Sequence, residues 1–484
     1  MSTMASNAAG DTSRPDGSAD VSEGKITPAD MHDIQGNVVR GYRMPNVRHF
    51  ALRVVNGGGA RRFLAGLLPD AGGESPHVTT TRDWGGSKPD YCLNIGFTWN
   101  GLRAVGVPMS ILSQFPATFR NGPTGNATQI GDEGPSAPEH WVMGGPANPQ
   151  VHLLLSLFTN EARHPCMDKW TSLLESLFAQ DGLEAVWRLD ANALPDGKVH
   201  FGYKDGIAQP RIKGVPGKQL PDMQPECEPG EFLLGRGYMN QYNGNFIGNL
   251  PPELADNATY GAFRVLAQDV VGFESFLTKA SERYGMPREM VAAKLMGRWR
   301  NGVPLTMSPD NYSSPISTDR LNDFDFGPSQ QNTTYFDDAT GLRCPVGAHI
   351  RRLNPRNALT MGKPHARRII RRGVPYGPPY DETAQSNPEG ERGLVGYFIC
   401  GDLDMQFEFL LSTWANLDFS TAGIRGTRDS ILGAQPEYGG QFVLRTSDGR
   451  DPIIFDNLPR MVTTRGSVYC LIPGVGGLRF LAGA

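Results

Sequence analysis

Hydrophobic and polar residues alternate along 47–55, so that Phe50, Leu52 and Val54 share one face of the chain. A period of two residues is typical of a β-strand with one buried face. Apolar runs predict further strands over 91–97, 151–158, 262–267 and 394–400, and shorter ones over 185–189, 199–203 and around Ile369 and Ile370. The strands fall into an early group and a late group.

Apolar residues spaced three and four apart predict helices between these strands. The longest are predicted over 160–179, 269–284, 287–298 and 404–416, with shorter ones over 60–68 and after a cap at Thr98 or Asn100. The segments 91–102 and 397–410 share a strand, a turn and a helix in that order. This repeat indicates two similar halves, each a sheet with helices on one face.

Glycine and proline are abundant, with 59 and 38 residues, and they concentrate in irregular segments such as 119–149 and 300–340. Residues 1–30 are rich in Ser, Gly, Asp, Ala and Pro without an apolar run, so they are predicted to be a disordered tail. Ordered chain is expected from Met31. We predict an N-terminal domain over 31–210, a connection over 211–260 and a C-terminal domain over 261–484.

The composition narrows the class of protein. The chain has 484 residues, of which 39% are hydrophobic and 20% charged, and its net charge is -4. These values predict a globular protein and disfavour nucleic acid or an anionic membrane as partner. The N-terminus shows neither a signal-peptide core nor a twin arginine, and the six cysteines form no CxxC pair. A reducing, cytoplasmic location is therefore expected.

One histidine stands out in the stretch C-P-V-G-A-H-I-R-R-L-N-P-R, where His349 has small and apolar neighbours. A neutral imidazole in such a setting is a good ligand for a buried metal, haem iron included. Arginines suited to an anionic group follow it: Arg351, Arg352, Arg356, Arg367, Arg368, Arg371 and Arg372. The alternative is a hydrogen-bonded core or surface histidine followed by a solvated arginine-rich face.

A second unusual stretch, G-Y-K-D-G, places Asp205 between two glycines directly after a predicted strand. Glycine permits positive φ and a close approach of backbone to a ligand, so the aspartate could project into a cavity. The alternative is an ordinary Asp-Gly turn, which the pair alone would equally produce.

Together these stretches resemble the dye-decolorizing peroxidases, a family of haem enzymes. G-Y-K-D-G resembles their GxxDG motif, A-H-I-R-R-L-N-P-R their proximal-histidine motif, and R-R-I-I-R-R-G-V-P-Y-G their distal-arginine segment. D-I-Q-G-N-V-V-R-G-Y resembles the N-terminal opening of the family, and G-D-L-D-M-Q-F-E-F-L-L-S-T-W-A-N its C-terminal helix. The motifs occur in order from about Asp33 to the end, and their form is most similar to the larger subgroup that includes fungal members.

The resemblance implies an α+β fold of two ferredoxin-like halves, each an antiparallel sheet with helices, with haem b held mainly by the second half. In that fold His349 would be the proximal iron ligand and Asp205 the distal acid–base residue. Arg371 would be the distal arginine, preferred over Arg372 because it stands four residues before Pro375.

Three further residues are expected around the cofactor. Arg352 and Gly206 are predicted to contact it. Asp402 is predicted to accept the second ring N–H of His349, with Asp404 and Glu408 as rivals, because a carboxylate there raises the basicity of the ligand. The alternative role for Asp402 is to cap the helix that is predicted to begin near Asp404.

The chain departs from the family pattern at Gly396, where similar chains place a phenylalanine on the distal side of the haem. This departure predicts either a wider distal pocket or a strand shifted by one residue. Seven tryptophans are available for electron relay to a surface donor, but none is singled out: Trp84, Trp99, Trp141, Trp170, Trp187, Trp299 and Trp414.

The predicted function is that of a peroxidase which uses hydrogen peroxide to oxidise organic donors, such as dyes and phenolic or aromatic compounds, in one-electron steps through a ferryl intermediate. A haem carrier or sensor is the alternative, and a haem-free structural protein is a third. Asp205 and Arg371 favour the peroxidase, since a carrier has no use for an acid–arginine pair. A homo-oligomer is possible, and no membrane partner is expected.

Overall fold

The structure is a computed structural model, and it describes residues 25–73, 75–82, 88–160, 166–216, 224–236, 250–313, 315–328, 337–358, 364–384, 386–417, 423–446 and 450–483. The predicted tail falls largely outside these residues, as does Trp84. Ile26 is nevertheless buried in the core, so ordered chain begins before the predicted Met31. The predicted domain boundaries stay predictions.

The first half consists of four strands and the helices around them. The strands are β1 Asn46–Val54, β2 Tyr91–Phe97, β3 Leu153–Thr159 and β4 Leu183–Asn192. The helices are α1 Asp30–Asp33, α2 Gly36–Val39, α3 Gly57–Gly66, α4 Trp99–Ala104, α5 Met109–Leu112, α6 Ala117–Asn121 and α7 Met167–Gln180. The predicted cap is confirmed, because the Thr98 side chain accepts a hydrogen bond from the Gly101 N–H at the start of α4.

The second half repeats this composition. Its strands are β5 Thr259–Gln268, β6 Ile370–Tyr376, β7 Gly393–Cys400, the hairpin β8 Gln441–Leu444 with β9 Ile453–Asp456, and β10 Val462–Ile472. Its helices are α8 Pro252–Ala255, α9 Val270–Tyr284, α10 Arg288–Met296, α11 His349–Leu353, the wide-turned π-type segments α12 Leu403–Glu408 and α13 Leu410–Ala415, and α14 Val475–Ala482.

Within the described residues, eight strands form one antiparallel sheet in the order β4-β1-β3-β2-β10-β5-β7-β6. Counted within each half, the first half runs fourth, first, third, second, and the second half repeats that order. The halves join where Phe97 of β2 pairs with Leu471 of β10. The predicted α+β fold of two ferredoxin-like halves is therefore confirmed.

The internal repeat was predicted from the wrong pair of segments. β2, which begins at Tyr91, is the second strand of its half, whereas β7 is the third strand of the other half. The equivalent partners by position are β1 with β5 and β3 with β7. Any apolar strand followed by a helix gives the same local pattern, so the pattern alone does not reveal which strands correspond.

One short predicted strand, 199–203, is a loop. The Val199 N–H donates to the Tyr203 carbonyl, and Gly202 adopts φ +82°, so the chain turns back on itself instead of extending. The other predicted strands are present within a few residues of their expected bounds. The helix predicted from 160 begins at Met167, and residues 161–165 lie outside the described part.

The predicted connection, 211–260, is more than a linker in its described parts. Phe232, Leu233 and Leu234 are completely buried in the two large cores. At the other end of the chain, α14 of the second half packs against α3 of the first. Among the described residues, no helix is both long and apolar enough to cross a membrane.

Candidate active site

A cavity of about 300 Å³ lies against the sheet of the second half. Side chains alternate between the two faces of a strand. β5 follows this pattern, with Arg264, Leu266 and Gln268 in the cavity wall and Phe263 and Val265 in the core on the other face. On β7 the whole stretch 394–398 lines the cavity, although Val395 and Tyr397 also belong to the core. The two strands therefore form one wall of the cavity.

His349 is the first residue of α11 and lines this cavity. Its ring Nδ1 lies 3.0 and 3.2 Å from the two carboxylate oxygens of Asp429, which is completely buried. A carboxylate acceptor at Nδ1 favours the tautomer in which Nδ1 carries the proton and Nε2 keeps its lone pair. The Nε2 atom is therefore prepared to bind a metal.

Asp429 is held in its charged form by its surroundings. Burial alone would raise its pKa, but the His349 imidazole, the Leu432 N–H and the Arg352 charge outweigh burial and lower the pKa below its ordinary value. The carboxylate also accepts hydrogen bonds from the backbone N–H groups of Ile431 and Leu432, at 3.0 and 2.7 Å. These bonds fix the direction in which the carboxylate points.

Asp205 and Arg371 form an ion pair in the wall of the same cavity, with 3.0 Å between Oδ1 and Nη1. Burial alone would raise the pKa of Asp205, but the Arg371 charge and a hydrogen bond from the Gly206 N–H hold that pKa below its ordinary value. Asp205 is therefore an ionised carboxylate that faces the cavity.

Strand alternation separates Arg371 from its neighbour Arg372. The Arg372 guanidinium donates to the carbonyls of Asn37 and Val38, and burial with the nearby Arg43 and Arg371 charges lowers its pKa to about 10. Arg371, the residue chosen from the sequence, is the one that lines the cavity.

Gln209 fixes the backbone that carries Arg371. Its side-chain amide donates to the Arg371 carbonyl at 3.0 Å and accepts from the Arg371 N–H at 3.2 Å. Gln209 follows Asp205 by four residues in the loop of the first half, whereas Arg371 lies on β6. One side chain thus holds the two members of the acid–arginine pair together.

Two further arginines make the cavity suitable for an anionic group. Arg298 lines it and is buried, and its Nη2 has no hydrogen-bond partner in the protein. Burial and the positive charges of Arg356 and Arg371 lower the pKa of Arg298 to about 9. Arg356 also lines the cavity, with its guanidinium stacked 3.7 Å above the Phe324 ring. A buried donor without a partner is a natural contact for a carboxylate of a ligand.

The chain is similar to several peroxidases along most of its length, although no family model matches it. A dye-decolorizing peroxidase of Mycena epipterygia is 29% identical over 494 aligned residues, which cover 94% of this chain and 87% of that protein. The dye-decolorizing peroxidase AauDyP1 of Auricularia auricula-judae is 27% identical, covering 81% of this chain and 76% of its own length.

Solved structures give the same result. An ancestral D-type dye decolorizing peroxidase superimposes with a TM-score of 0.77 at 25% identity and covers 95% of this chain and all of its own. A fungal DyP-type peroxidase from Auricularia auricula-judae has a TM-score of 0.75 at 25% identity, covering 93% of this chain and 99% of that one. The chain is thus similar to dye-decolorizing peroxidases over most of its length. The predicted resemblance to this family, including its fungal members, is confirmed.

Three of the residues predicted for a dye-decolorizing peroxidase site come together: His349, Asp205 and Arg371 line one cavity. Asp402 does not bond His349, so that prediction is wrong. It is the N-cap of α12, where its carboxylate accepts from the Met405 N–H at 3.0 Å. The alternative role considered for Asp402, helix capping, is the correct one.

The predicted cofactor contacts of Arg352 and Gly206 stay predictions, and neither residue lines the cavity. Arg352 is not part of the cavity wall, because its guanidinium donates to the Trp414, Leu417 and Thr427 carbonyls around the loop that leads to Asp429. Gly206 is likewise absent from the wall, and its N–H instead holds the Asp205 carboxylate. Arg352 therefore supports the segment that carries Asp429, and Gly206 supports Asp205.

Asp429, Arg298 and Gln209 were missed in the sequence. Asp429 contacts His349 across 80 positions, and its local sequence is that of an ordinary capping aspartate. Glu408, one of the two rivals of Asp402, does not bond His349 either, since its carboxylate accepts hydrogen bonds from Asn126 and Tyr469. Arg356, the other arginine of the cavity wall, was already noted in the sequence as part of the arginine-rich run after His349.

The surroundings of Gly396 show what replaces the expected phenylalanine in the cavity wall. Its φ is +154°, and a Cβ there would lie 1.9 Å from the Arg372 carbonyl of β6. The strands are therefore too close for any side chain at this position. β7 and β6 stay paired at Gly396 and Gly373. Leu394 and Phe398 line the cavity on either side of Gly396, where there is no side chain. None of the tryptophans among the described residues lines the cavity.

Proposed function

We propose that this protein is a haem peroxidase that uses hydrogen peroxide to oxidise aromatic donors such as dyes and phenols. The observation that carries the proposal is the Asp205–Arg371 ion pair in the wall of the cavity that His349 also lines. Relatives of the chain are named dye-decolorizing peroxidases, and one solved structure of similar fold is that of a dye-decolorizing peroxidase whose heme pocket was engineered.

The residues around the cavity fit a haem. His349 would bind the iron through Nε2, with Asp429 at Nδ1 raising the basicity of the ring. Arg298 and Arg356 would pair with the propionates, which would give the unpartnered Nη2 of Arg298 an acceptor. When bound, the haem supplies the iron at which peroxide is split and the oxidising equivalents are stored.

Asp205 would act as the general base and then the general acid for peroxide. Its carboxylate is ionised, so it accepts the proton from one peroxide oxygen and returns it to the other, which leaves as water. The Arg371 guanidinium would stabilise negative charge as the O–O bond lengthens. The ion pair keeps both side chains at the same wall throughout.

The alternative, a haem carrier or sensor, is less well supported. A carrier requires His349, Asp429 and the propionate arginines, but it gives no role to an ionised aspartate paired with Arg371. Haem b as the form of the cofactor, one-electron steps at a high-valent haem, the cytoplasmic location and a homo-oligomer stay predictions.

Rapid mixing with peroxide tests the proposed function. Haem-loaded wild-type protein is expected to show a fast change of its haem absorbance, and Asp205→Ala and Arg371→Leu are each expected to slow it about 10²–10⁴-fold. The matched control is Asp70→Ala, which breaks a surface Asp–Arg pair with Arg479. If both cavity variants react at the rate of the control, the proposed distal roles are wrong.

Haem binding is tested separately. His349→Ala is expected to lose stable haem incorporation, which is measured from the haem absorbance of the purified protein. His140→Ala, at an exposed histidine away from the cavity, serves as the control. A normal haem spectrum and affinity in His349→Ala would refute the proposed ligand.

A further inference from the structure

Arg300 contacts the loop directly before Asp205 at several points, although it does not itself line the cavity. Its Nη1 donates to the Phe201 carbonyl at 2.6 Å, and its own carbonyl accepts from the Lys204 N–H at 2.9 Å. Its guanidinium lies 5.5 Å from the centre of the Tyr203 ring, which is within the range of a cation–π contact. The loop is therefore held by one residue through both its backbone and a side chain.

The first glycine of the G-Y-K-D-G stretch leaves room for this guanidinium. A Cβ on Gly202 would lie 2.6 Å from Nη1 of Arg300, which is too close for two such atoms. Gly202 also has a φ of +82°, a value that favours glycine. The close approach that this glycine permits is thus an approach to Arg300, and the turn that leads to Asp205 is shaped around that side chain.

A buried carboxylate fixes the Arg300 guanidinium in this position. Glu274 of α9 is 7% exposed and accepts two hydrogen bonds from Arg300, at 2.9 Å from Nη1 and 3.0 Å from Nη2. It also accepts from Nη2 of Arg288 at 2.5 Å. A bidentate bond between a guanidinium and a carboxylate fixes orientation as well as distance. Helix α9 therefore holds the loop through Arg300.

We propose that Arg300 is a positioning residue for Asp205. Fixed by Glu274, it holds the backbone of residues 201–204, and this backbone sets where the Asp205 carboxylate meets Arg371. The inference rests on the proposed peroxidase function, in which Asp205 is the base for peroxide. Arg300 takes no part in the proton transfer and acts on the reaction only through Asp205.

The acid–arginine pair is thereby restrained from both sides. Gln209 holds the backbone of Arg371, and Arg300 holds the backbone before Asp205. Loosening of either contact changes the distance between the carboxylate and the guanidinium, and a displacement of about 1 Å can cost on the order of a hundredfold in rate. The alternative is that Arg300 only joins α9 to the loop and stabilises the fold.

The test combines Arg300→Lys with Asp205→Ala in a double-mutant cycle on the haem-loaded protein. Arg300→Lys keeps the charge but loses the bidentate bond and the flat contact with Tyr203. We expect the haem to react with peroxide about 10–100-fold more slowly than in wild type, with unchanged haem affinity. In the Asp205→Ala background the same substitution is expected to change the rate less than about twofold, because no carboxylate is left to position. Equal slowing in both backgrounds would mean that Arg300 acts on the cavity as a whole, and the inference would be wrong.

Amide hydrogen exchange of the haem-loaded protein gives a readout that does not depend on turnover. The Lys204 N–H donates to the Arg300 carbonyl, and the Asp205 N–H donates to the Gly197 carbonyl at 2.9 Å. Both groups are expected to exchange about tenfold faster in Arg300→Lys than in wild type, because the loop opens more often. Wild-type exchange at both groups would contradict the inference.

Arg283→Lys is the matched control, near the C-terminal end of α9. Arg283 pairs with Asp456 at 3.2 Å and lies 5.2 Å from the centre of the Tyr284 ring, so the substitution removes the same kinds of contact. It is expected to leave both the peroxide reaction and the exchange of the loop unchanged. Glu274→Gln, which keeps the size of the side chain, is expected to act as Arg300→Lys does but to a smaller extent, and it replaces that variant if Arg300→Lys does not fold.

Two outcomes separate this inference from the peroxidase proposal. If Arg300→Lys loses stability in denaturant but its haem reacts with peroxide at the wild-type rate, Arg300 only stabilises the fold, so this inference is wrong and the peroxidase proposal stands. If the wild-type haem does not react with peroxide, Asp205 has no peroxide proton to accept and both are wrong.

Discussion

Two aspartates serve the cavity, and each is kept ionised by a different partner. Asp205 depends chiefly on the Arg371 charge, and Asp429 on the His349 ring, in both cases against the effect of burial. Asp205 was predictable because glycines bracket it within a recognisable motif. Asp429 was not, because its role follows from a contact between distant segments and not from its neighbours in sequence.

The acid limit of peroxide reactivity is expected to depend on Arg371. The lowered pKa of Asp205 keeps its carboxylate ionised at mildly acidic pH, and the reaction fails only as pH falls through that pKa. Arg371→Leu removes the main lowering cause, so the pKa rises and the acid limb shifts to higher pH. The pH profile of the rate of haem reaction with peroxide measures this, with Arg479→Leu as control. An unshifted limb would show that Arg371 does not set the charge of Asp205.

Asp429→Asn is expected to weaken the bond between His349 and the haem iron, because a neutral acceptor at Nδ1 leaves the imidazole less basic. Haem affinity should fall about 10–100-fold, and the reduction potential should rise. Asp402→Asn is the matched control: it alters only a helix cap, at a cost of about 1 kcal/mol or less, and leaves both haem properties unchanged. Equal effects of the two variants would contradict the assignment of Asp429.

At the scale of elements, the alternation of a strand decides which side chains serve the cavity. It directs Arg371 to the cavity and Arg372 to the backbone of α2. The resemblance allowed this choice, because Arg371 takes the position four residues before Pro375 that the arginine of the family occupies. The sequence also marked Gly396 as unusual, but its consequence required the neighbouring strand. The 199–203 loop was mistaken for a strand because its turn depends on hydrogen bonds that local alternation does not encode.

Gly396→Ala is expected to destabilise the protein by about 1–3 kcal/mol, because the backbone there is strained for any side chain and the new Cβ would meet the Arg372 carbonyl. Gly373→Ala is the matched control on the paired strand, since its Cβ would have 3.7 Å to the nearest atom, the Val395 carbonyl oxygen. Unfolding in denaturant measures both, and the control should change stability by about 0.5 kcal/mol or less. Similar stabilities would mean that β6 and β7 can separate at this point.

In the whole molecule, the site depends on contacts between the halves. The second half carries His349, Arg371 and most of the cavity wall, whereas Asp205 and Gln209 come from the loop after β4 of the first half. The repeated strand order that builds each half followed from the resemblance. The contacts that join the halves could not be predicted from the sequence. Hydrogen bonds such as that between Gln209 and the Arg371 backbone span 162 positions, and no periodic pattern marks them.

Gln209→Leu tests whether this bridge between the halves positions the acid–arginine pair. The substitution keeps much of the side-chain volume but removes both hydrogen bonds to the Arg371 backbone. Arg371 would then be free to shift relative to Asp205, and displacement of a catalytic group by about 1 Å can cost on the order of a hundredfold in rate. We expect slower reaction with peroxide and unchanged haem affinity, because His349 and the propionate arginines keep their contacts. Gln114→Leu, at a side chain outside the cavity, controls for loss of an amide. If Gln209→Leu instead loses haem and leaves the peroxide reaction of the remaining holoenzyme at the wild-type rate, the bridge stabilises the cavity as a whole and does not aim Arg371.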